Sequence, residues 1–139
     1  MLMDQDSDGM SAQVILVVED EIILRMFLAD ELRDQGYQVL EAGSGDEALD
    51  ILGAHIDPDL LITDVRMPGA VDGIGLTLHS KNASPWRPVI VSSAHLAPDT
   101  AGRADAFLRK PYPSTTLIDL VERLIGPPCR KQRDLPTAS

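Results

Sequence analysis

Apolar residues along this chain group into short continuous runs and into longer stretches with helical spacing. The continuous runs are rich in β-branched residues, and this pattern predicts strands that are covered on both faces. Five such strands are predicted, at residues 14–18, 37–42, 60–63, 89–92 and 106–109. Because strands and helical stretches alternate, we expect an α/β domain with a doubly wound parallel sheet.

The first predicted helix covers residues 21–35 and ends at Gly36, a residue type that commonly stops helices. Its apolar positions are spaced by three and four residues, which indicates one buried face. The predicted face consists of Leu24, Phe27, Leu28 and Leu32.

Three further helices are predicted. A glycine turn at residues 43–45 leads into a short helix, and a weaker helix covers residues 74–82, followed by the linker "SPWRP". The last helix has a strong apolar period, with Ser114 as its predicted N-cap and Gly126 as its stop.

Polar residues follow four of the predicted strands. Parallel sheets of this kind bind ligands outside the carboxyl ends of their strands. The residues at these ends are Glu19, Asp20, Asp64, Ser93 and Lys110. Any one of them has a common structural explanation, but their joint position at one edge of the sheet predicts a functional site.

Three carboxylates at this edge require compensation, because two such charges about 4 Å apart repel by roughly 4 kcal/mol. A bound cation would supply it, and oxygen ligands without cysteine or histidine favour Mg²⁺, with Mn²⁺ as a substitute. A serine hydroxyl and a lysine ammonium suit the oxygens of a phosphoryl group. The set therefore predicts metal-assisted phosphoryl chemistry with a carboxylate as nucleophile.

Charge and composition narrow the function classes. The chain has 22 acidic and 12 basic side chains and a formal charge of -10, which disfavours binding to nucleic acid. No apolar run is long enough for a membrane span, the acidic N-terminus does not resemble a signal peptide, and the single cysteine, Cys129, cannot form an internal disulfide. We expect a cytoplasmic domain with flexible tails at residues 1–12 and 127–139.

Four segments resemble a known family, the receiver domains of bacterial two-component response regulators. "VILVVEDE" is similar to the family's first strand with its acidic pair, and "LLITDVRMPG" to its phosphoacceptor strand and loop. "PVIVSSA" and "AFLRKPY" resemble the strands that end in a serine or threonine and in Lys-Pro. The resemblance covers residues 13–126 and implies a flavodoxin-like five-stranded sheet in the order 2-1-3-4-5.

The resemblance implies that Asp64 accepts a phosphoryl group from a sensor histidine kinase or a histidine phosphotransfer protein and that the domain then regulates a protein partner. Glu19, Asp20, Asp64 and the backbone carbonyl of Arg66 would hold Mg²⁺. Arg66 and His95 would flank the site and tune a slow self-dephosphorylation. The domain is thus expected to be a phosphoacceptor and not an enzyme.

The resemblance also implies a conformational switch. Lys110 would contact the phosphoryl group, Ser93 would shift toward it, and Phe107 would turn inward. The Lys110–Pro111 peptide bond would be cis, which fixes how the lysine approaches the site.

Two stretches depart from the family pattern. The loop "MPGAVDG" holds one residue more than usual, and only 15 residues separate Ala94 from Lys110, fewer than the family pattern has. The second stretch has little apolar periodicity, so the helix between the fourth and fifth strands is predicted to be very short or absent. Because too few residues follow residue 126 to form an effector domain, we expect a single-domain regulator that acts by protein contact or as a phosphorelay intermediate.

Two other interpretations remain open, and a third, a calcium-binding loop, is set aside. "GSGDEA" matches the dinucleotide pattern Gly43-x-Gly45-x-x-Ala48, with Asp64 near the expected distance, but it follows the second strand. Phosphatases of the haloacid dehalogenase type use a similar aspartate, yet Arg66 stands where they need a second one as general acid. "DQDSDG" copies half of a calcium-binding loop and lacks its final glutamate.

Overall fold

The computed structural model describes residues 12–95 and 102–129 of the 139-residue chain. Within these residues, five strands and four helices follow one another in the predicted order. They are β1 (Val14–Val18), α1 (Ile22–Gln35), β2 (Gln38–Ala42), α2 (Gly45–Gly53), β3 (Leu60–Asp64), α3 (Gly73–Ala83), β4 (Val89–Ser93), β5 (Ala106–Arg109) and α4 (Ser114–Ile125).

The strands form one parallel sheet in the order β2-β1-β3-β4-β5, which confirms the predicted fold. In this order β1 and β3 are neighbours at the centre, where the direction of winding reverses. Val18 is the register partner of Thr63, and Asp64 is the partner of Ser92. The carboxyl ends of β1, β3 and β4 therefore lie side by side at one edge of the sheet.

Side chains of β1 alternate between two apolar cores. Ile15 and Val17 belong to the core on the α1 and α4 side, and Leu16 and Val18 belong to the core on the α2 and α3 side. All four are essentially inaccessible, and each fully buried side chain of this size contributes roughly 1.5–3 kcal/mol. Burial of both faces gives the loops at the strand ends a rigid support.

Helix α1 packs on the sheet through the predicted face, except at one position. Leu28 and Leu32 are buried as expected, and Leu24 packs against the same core. Phe27 was predicted to be buried, but it is 52% exposed, and Ala29 takes the inner position. Since Leu28, Ala29 and Leu32 lie against the sheet, the Phe27 side chain is turned toward solvent.

The predicted helix stops are confirmed, but one predicted cap is wrong. Gly36 follows α1 with φ 118°, a left-handed conformation that glycine adopts without steric cost, and Gly126 follows α4. Ser114 was predicted as the N-cap of α4, yet the cap is Pro113, whose carbonyl accepts a hydrogen bond from Thr116 N at 3.0 Å. Ser114 is already the first helical residue and makes no side-chain cap.

The segment predicted as a linker after α3 contains a buried arginine. Arg87 is only 3% exposed. Its guanidinium group donates hydrogen bonds to Pro58 O at 2.8 Å, Ser80 Oγ at 2.9 Å and the carboxylate of Asp57. These bonds attach the segment to α3 and to the residues that precede β3.

The predicted short or missing helix between β4 and β5 falls largely on residues 96–101, which lie outside the described residues. Residues 94–95 and 102–105 on either side form bends and turns. Most of the two terminal segments also lies outside the described part, so the domain boundaries stay predictions. Of the C-terminal segment, Pro127 is described, and its carbonyl accepts a hydrogen bond from the Gln13 side chain at 2.8 Å.

Candidate functional site

The carboxyl edge of the sheet brings the three predicted acidic residues together. Glu19 and Asp20 follow β1, Asp64 ends β3, and one carboxylate oxygen of each lies within 4.8 Å of the others. Glu19 is buried, Asp64 is half-buried and Asp20 is exposed. The cluster is therefore open to solvent on the side of Asp20.

Lys110 lies directly after β5 and reaches across to this cluster. Its Nζ atom donates to Glu19 Oε1 at 3.0 Å and to Asp64 Oδ2 at 3.2 Å. The backbone of Lys110 is fixed by a hydrogen bond to Ser93 O at 2.9 Å, and the Lys110–Pro111 peptide bond is cis, as the resemblance implied. The ammonium group thus lies between two carboxylates.

Burial and charge shift the pKa values at this site. Burial raises the pKa of the Glu19 carboxyl group, although the hydrogen bond and charge of Lys110 oppose the shift. Burial lowers the pKa of Lys110, but the hydrogen bond and charge of Glu19 together with Asp64 outweigh it, and the net pKa is raised. The lysine therefore stays charged, while Glu19 binds a proton more readily than an ordinary glutamate.

The Asp64 backbone is packed closely against the start of α3. Asp64 Oδ1 accepts a hydrogen bond from Val65 N at 2.8 Å. A Cβ atom added at Gly73 would lie 2.0 Å from Asp64 O, so only glycine permits this approach. Sequence reasoning did not single out Gly73, and its only signal was its place as the last residue of the loop "MPGAVDG".

An open pocket of about 320 Å³ lies above these residues. Asp20, Asp64, Ser93 and Lys110 contribute to its lining, together with Arg66 and His95. Its size and polar walls suit a small polar group together with a cation that compensates the carboxylates.

The predicted switch residues lie on β4 and β5 and their loops. Ser93 is buried, and its Oγ accepts a hydrogen bond from His95 N at 3.1 Å. Phe107 is half-buried and packs against the core on the α2 and α3 side. His95 is exposed, as is Arg66, so both side chains can reach the pocket.

The glycine pattern at residues 43–48 has a structural explanation. A Cβ atom at Gly45 would lie 2.2 Å from Val71 O, so the glycine lets the loop before α3 pack against α2. Ser44 caps α2 by accepting a hydrogen bond from Glu47 N at 3.1 Å. This turn is filled by the chain's own backbone and does not form an open cradle for a pyrophosphate. The calcium-loop pattern at residues 4–9 lies outside the described residues.

Arg25 is a second residue that sequence reasoning missed. Its Nη1 atom donates to Glu19 O at 2.8 Å, next to the carboxylate cluster. In the sequence it looks like an ordinary arginine on a helix, and its contact depends on how α1 packs beside β2.

Curated relatives share the larger part of this sequence. The transcriptional regulatory protein PdtaR of Mycobacterium tuberculosis (strain ATCC 25618 / H37Rv) is 38% identical over 129 residues, covering 87% of this chain and 60% of PdtaR. The DNA-binding transcriptional regulator NtrC of Escherichia coli (strain K12) is 34% identical over 123 residues, covering 84% of this chain and 26% of NtrC. The chain thus spans three-fifths or less of these relatives' length.

Solved structures show the same fold. The response regulator protein TrrA of Thermotoga maritima, crystallised in complex with Mg(2+)-BeF, has a TM-score of 0.75 and 29% identity, covering 81% of this chain and 99% of TrrA. A response regulator receiver protein of Sinorhizobium medicae has a TM-score of 0.77 and 31% identity, covering 82% of this chain and 94% of that protein.

A parallel sheet in this order with an acidic cluster at its carboxyl edge is typical of receiver domains of two-component signalling. Residues 15–122 match the family of the response regulator receiver domain, and the chain belongs to this family. Its acidic cluster resembles the family's phosphoaspartate site. No helix among the described residues has the length and apolar character needed to cross a membrane.

Proposed function

We propose that this domain accepts a phosphoryl group on Asp64 from a sensor histidine kinase or a histidine phosphotransfer protein, with the help of Mg²⁺. The phosphorylated domain then changes conformation and regulates a protein partner. The observation that carries the proposal is Lys110 Nζ, which lies 3.0 Å from Glu19 and 3.2 Å from Asp64 inside the acidic cluster.

The donor set fits a hard divalent cation. Glu19, Asp20 and Asp64 offer three carboxylate oxygens within 4.8 Å of one another, and the backbone carbonyl of Arg66 would add a fourth ligand. Such oxygen ligands favour Mg²⁺, or Mn²⁺ in its place. When bound, the ion would neutralise charge on the phosphoryl oxygens and orient the group for transfer.

Asp64 acts as the nucleophile. A carboxylate oxygen of Asp64 forms a bond to phosphorus while the phosphorus–nitrogen bond of the donor's phosphohistidine breaks. The bonding electrons stay on the imidazole nitrogen, so the donor histidine is regenerated and an acyl phosphate remains on Asp64. Lys110 is close enough to bind a phosphoryl oxygen with its ammonium group.

Ser93 and Phe107 transmit the change. Ser93 Oγ shifts toward a phosphoryl oxygen, and Phe107 moves inward into the space that this shift opens. Ser93 and Phe107 lie on the neighbouring strands β4 and β5, and Val91 of β4 is the register partner of Phe107. This proximity supports a coupled movement of the two side chains. Phe107 is half-buried, so an inward movement would remove further apolar surface from water.

The outer face of α1 offers a surface for the phosphodonor. Four large apolar side chains there are at least 50% exposed, namely Ile22, Ile23, Met26 and Phe27. The helix starts directly after the acidic pair, so a protein bound to this face has its reactive histidine near the pocket. Exposed apolar groups of this kind commonly mark protein interfaces.

The domain is proposed to be a phosphoacceptor and not a phosphatase of the haloacid dehalogenase type. Arg66 occupies the position at which those phosphatases need an aspartate as general acid. Arg66 and His95 at the pocket tune slow hydrolysis of the acyl phosphate by controlling the approach of water.

The direct test is labelling with acetyl phosphate in the presence of Mg²⁺, followed by mass spectrometry. We expect one phosphoryl group per chain, stable in acid and labile in base. Asp64→Asn removes the nucleophile but keeps its size, so labelling should be lost. Retained labelling of this variant at another residue would refute the assignment.

A further inference from the structure

The turn after β1 carries both Glu19 and Asp20, so its backbone position decides where their carboxylates lie. This backbone is held from two sides. Glu19 N donates to Ala42 O of β2 at 3.0 Å, and Glu19 O accepts from Arg25 Nη1 at 2.8 Å. The second contact is made by a side chain of α1, one helical turn beyond the acidic pair.

Arg25 is itself held by a chain of ion pairs between α1 and β2. Its Nε atom lies 3.3 Å from Glu41 Oε1, and the second oxygen of Glu41 lies 3.2 Å from Arg33 Nη1. Arg33 also donates to Val39 O at 3.0 Å. The planar guanidinium group of Arg25 thus bridges the Glu41 carboxylate and the Glu19 carbonyl, a geometry that a lysine ammonium does not reproduce.

The turn after β2 is shaped to admit this side chain. A Cβ atom at Gly43 would lie 3.0 Å from Arg25 Nη1, so a larger residue there would press on the guanidinium group. The side chain of Arg25 is only 19% exposed, which limits its freedom further. The guanidinium group is therefore confined by β1, β2 and its own helix.

We infer that Arg25 is a positioning residue for the metal-binding pair, acting through the Glu19 carbonyl and held in place by Glu41. This inference rests on the proposed function, because it concerns the same site. Without Arg25 the Glu19 carbonyl lacks this partner, and the turn is held on one side only, by the bond from Glu19 N to Ala42 O, so that its carbonyl side can rotate toward solvent. Such a rotation displaces the Glu19 and Asp20 carboxylates from the positions in which they bind a cation together.

The test compares Mg²⁺ binding to the full unphosphorylated chain by titration calorimetry. Arg25→Met keeps the length of the side chain but removes the bridge, and we expect affinity to fall about tenfold or more, as for other residues that orient metal ligands. Arg25→Lys should lose nearly as much, because one ammonium group cannot bridge both partners. Arg33→Met is the matched control, since it removes a Glu41 contact but leaves both contacts of Arg25, and its affinity should fall far less than that of Arg25→Met.

A metal-free measurement separates positioning from general loss of structure. Glu21 N donates to Glu19 Oε2 at 3.2 Å, so hydrogen exchange of the Glu21 amide in EDTA reports on this turn. We expect faster exchange in Arg25→Met, while core amides of β3 keep their protection. If Arg25→Met fails to fold, Glu41→Gln provides the same test with a smaller expected loss.

The outcomes are distinct for the two proposals. A wild type that binds no Mg²⁺ and accepts no phosphoryl group contradicts the proposed function itself. A wild type that does both, together with an Arg25→Met or Arg25→Lys variant of unchanged Mg²⁺ affinity, overturns the role of Arg25 alone.

Discussion

In the metal-free site the ammonium group of Lys110 compensates the negative charges of Glu19 and Asp64. Removal of this group should therefore destabilise the metal-free protein. In Lys110→Met the carboxylates of Glu19 and Asp64 lose their shared partner while staying within 4.8 Å of each other and of Asp20. The methionine fills a similar volume, so the change is mainly one of charge. Removing one partner from a buried ion pair leaves an uncompensated charge, which is the expensive case.

The magnitude follows from the distances. Lys110 Nζ lies 3.0 Å from Glu19 Oε1 and 3.2 Å from Asp64 Oδ2, and at an effective dielectric near 20 each of these two ion pairs contributes roughly 5 kcal/mol of attraction. Desolvation of the ammonium group offsets much of this, and its side chain keeps 19% exposure, which adds screening. We expect a net loss of about 2–4 kcal/mol in the free energy of unfolding, which a domain with about 5–15 kcal/mol of stability survives.

The assay is urea unfolding of wild type and Lys110→Met in EDTA and in saturating Mg²⁺. In EDTA the variant should show the whole expected loss in the free energy of unfolding. In Mg²⁺ the loss should shrink by more than half, because bound metal compensates the same carboxylates and stabilises the folded state by mass action. Arg109→Met is the control, since this neighbouring arginine is exposed, and it should change stability by no more than about 0.5 kcal/mol.

Lower pH should also reduce the loss of unfolding free energy that Lys110→Met causes. Burial raises the pKa of Glu19, and removing Lys110 removes a cause that lowers it, so the pKa rises further. A carboxyl group of raised pKa stabilises the fold below its ordinary value, 4.5 for Glu19, and this contribution is lost as pH rises through the folded pKa. The destabilisation should be largest above that pKa and should decrease as pH falls toward 4.5. An equal loss in EDTA and Mg²⁺ that is also independent of pH would show that this account of Lys110 is wrong.

Two further changes test the support of Asp64 and the phosphodonor surface. Gly73→Ala places a Cβ atom 2.0 Å from Asp64 O, so it should lower the free energy of unfolding by about 1–3 kcal/mol and slow labelling by acetyl phosphate. In Gly53→Ala the new Cβ atom meets no atom within 4 Å, so calorimetric unfolding should show unchanged or slightly higher stability. If both alanine variants unfold alike, the close packing at β3 is not what demands glycine. Replacing Ile23 and Phe27 by serine should slow phosphotransfer from a cognate kinase about tenfold or more without slowing labelling by acetyl phosphate. If both phosphodonors are slowed equally, the kinase does not bind this face of α1.

The positions of the strands could be predicted from the sequence because burial on both faces leaves a local pattern. Leu61 and Ile62 sit in a continuous apolar run that can only be satisfied between two layers of helices. Polar residues that end such runs must meet at one edge in a parallel sheet, so Asp64 and Lys110 could be assigned to a common site before their distance was known.

Side-chain surroundings that depend on distant parts of the chain could not be predicted in this way. Arg87 lies in a segment that looks like a linker, yet it is buried because Pro58, Ser80 and Asp57 supply partners from other elements. Ser114 looks like a helix cap, but the extended backbone of Pro113 already enters the helix one residue earlier.

The sequence by itself determined the order of the elements, the doubly wound class of the sheet and the set of polar residues at its carboxyl edge, because these follow from local apolar periodicity and from the geometry of parallel strands. The strand order 2-1-3-4-5 was implied by the family resemblance. Only the tertiary structure decided which oxygens Lys110 contacts, which face of α1 stays exposed at Phe27, and that Arg25 holds the Glu19 carbonyl. Long charged side chains and helix faces take their surroundings from elements distant in sequence, and local spacing carries no record of those contacts.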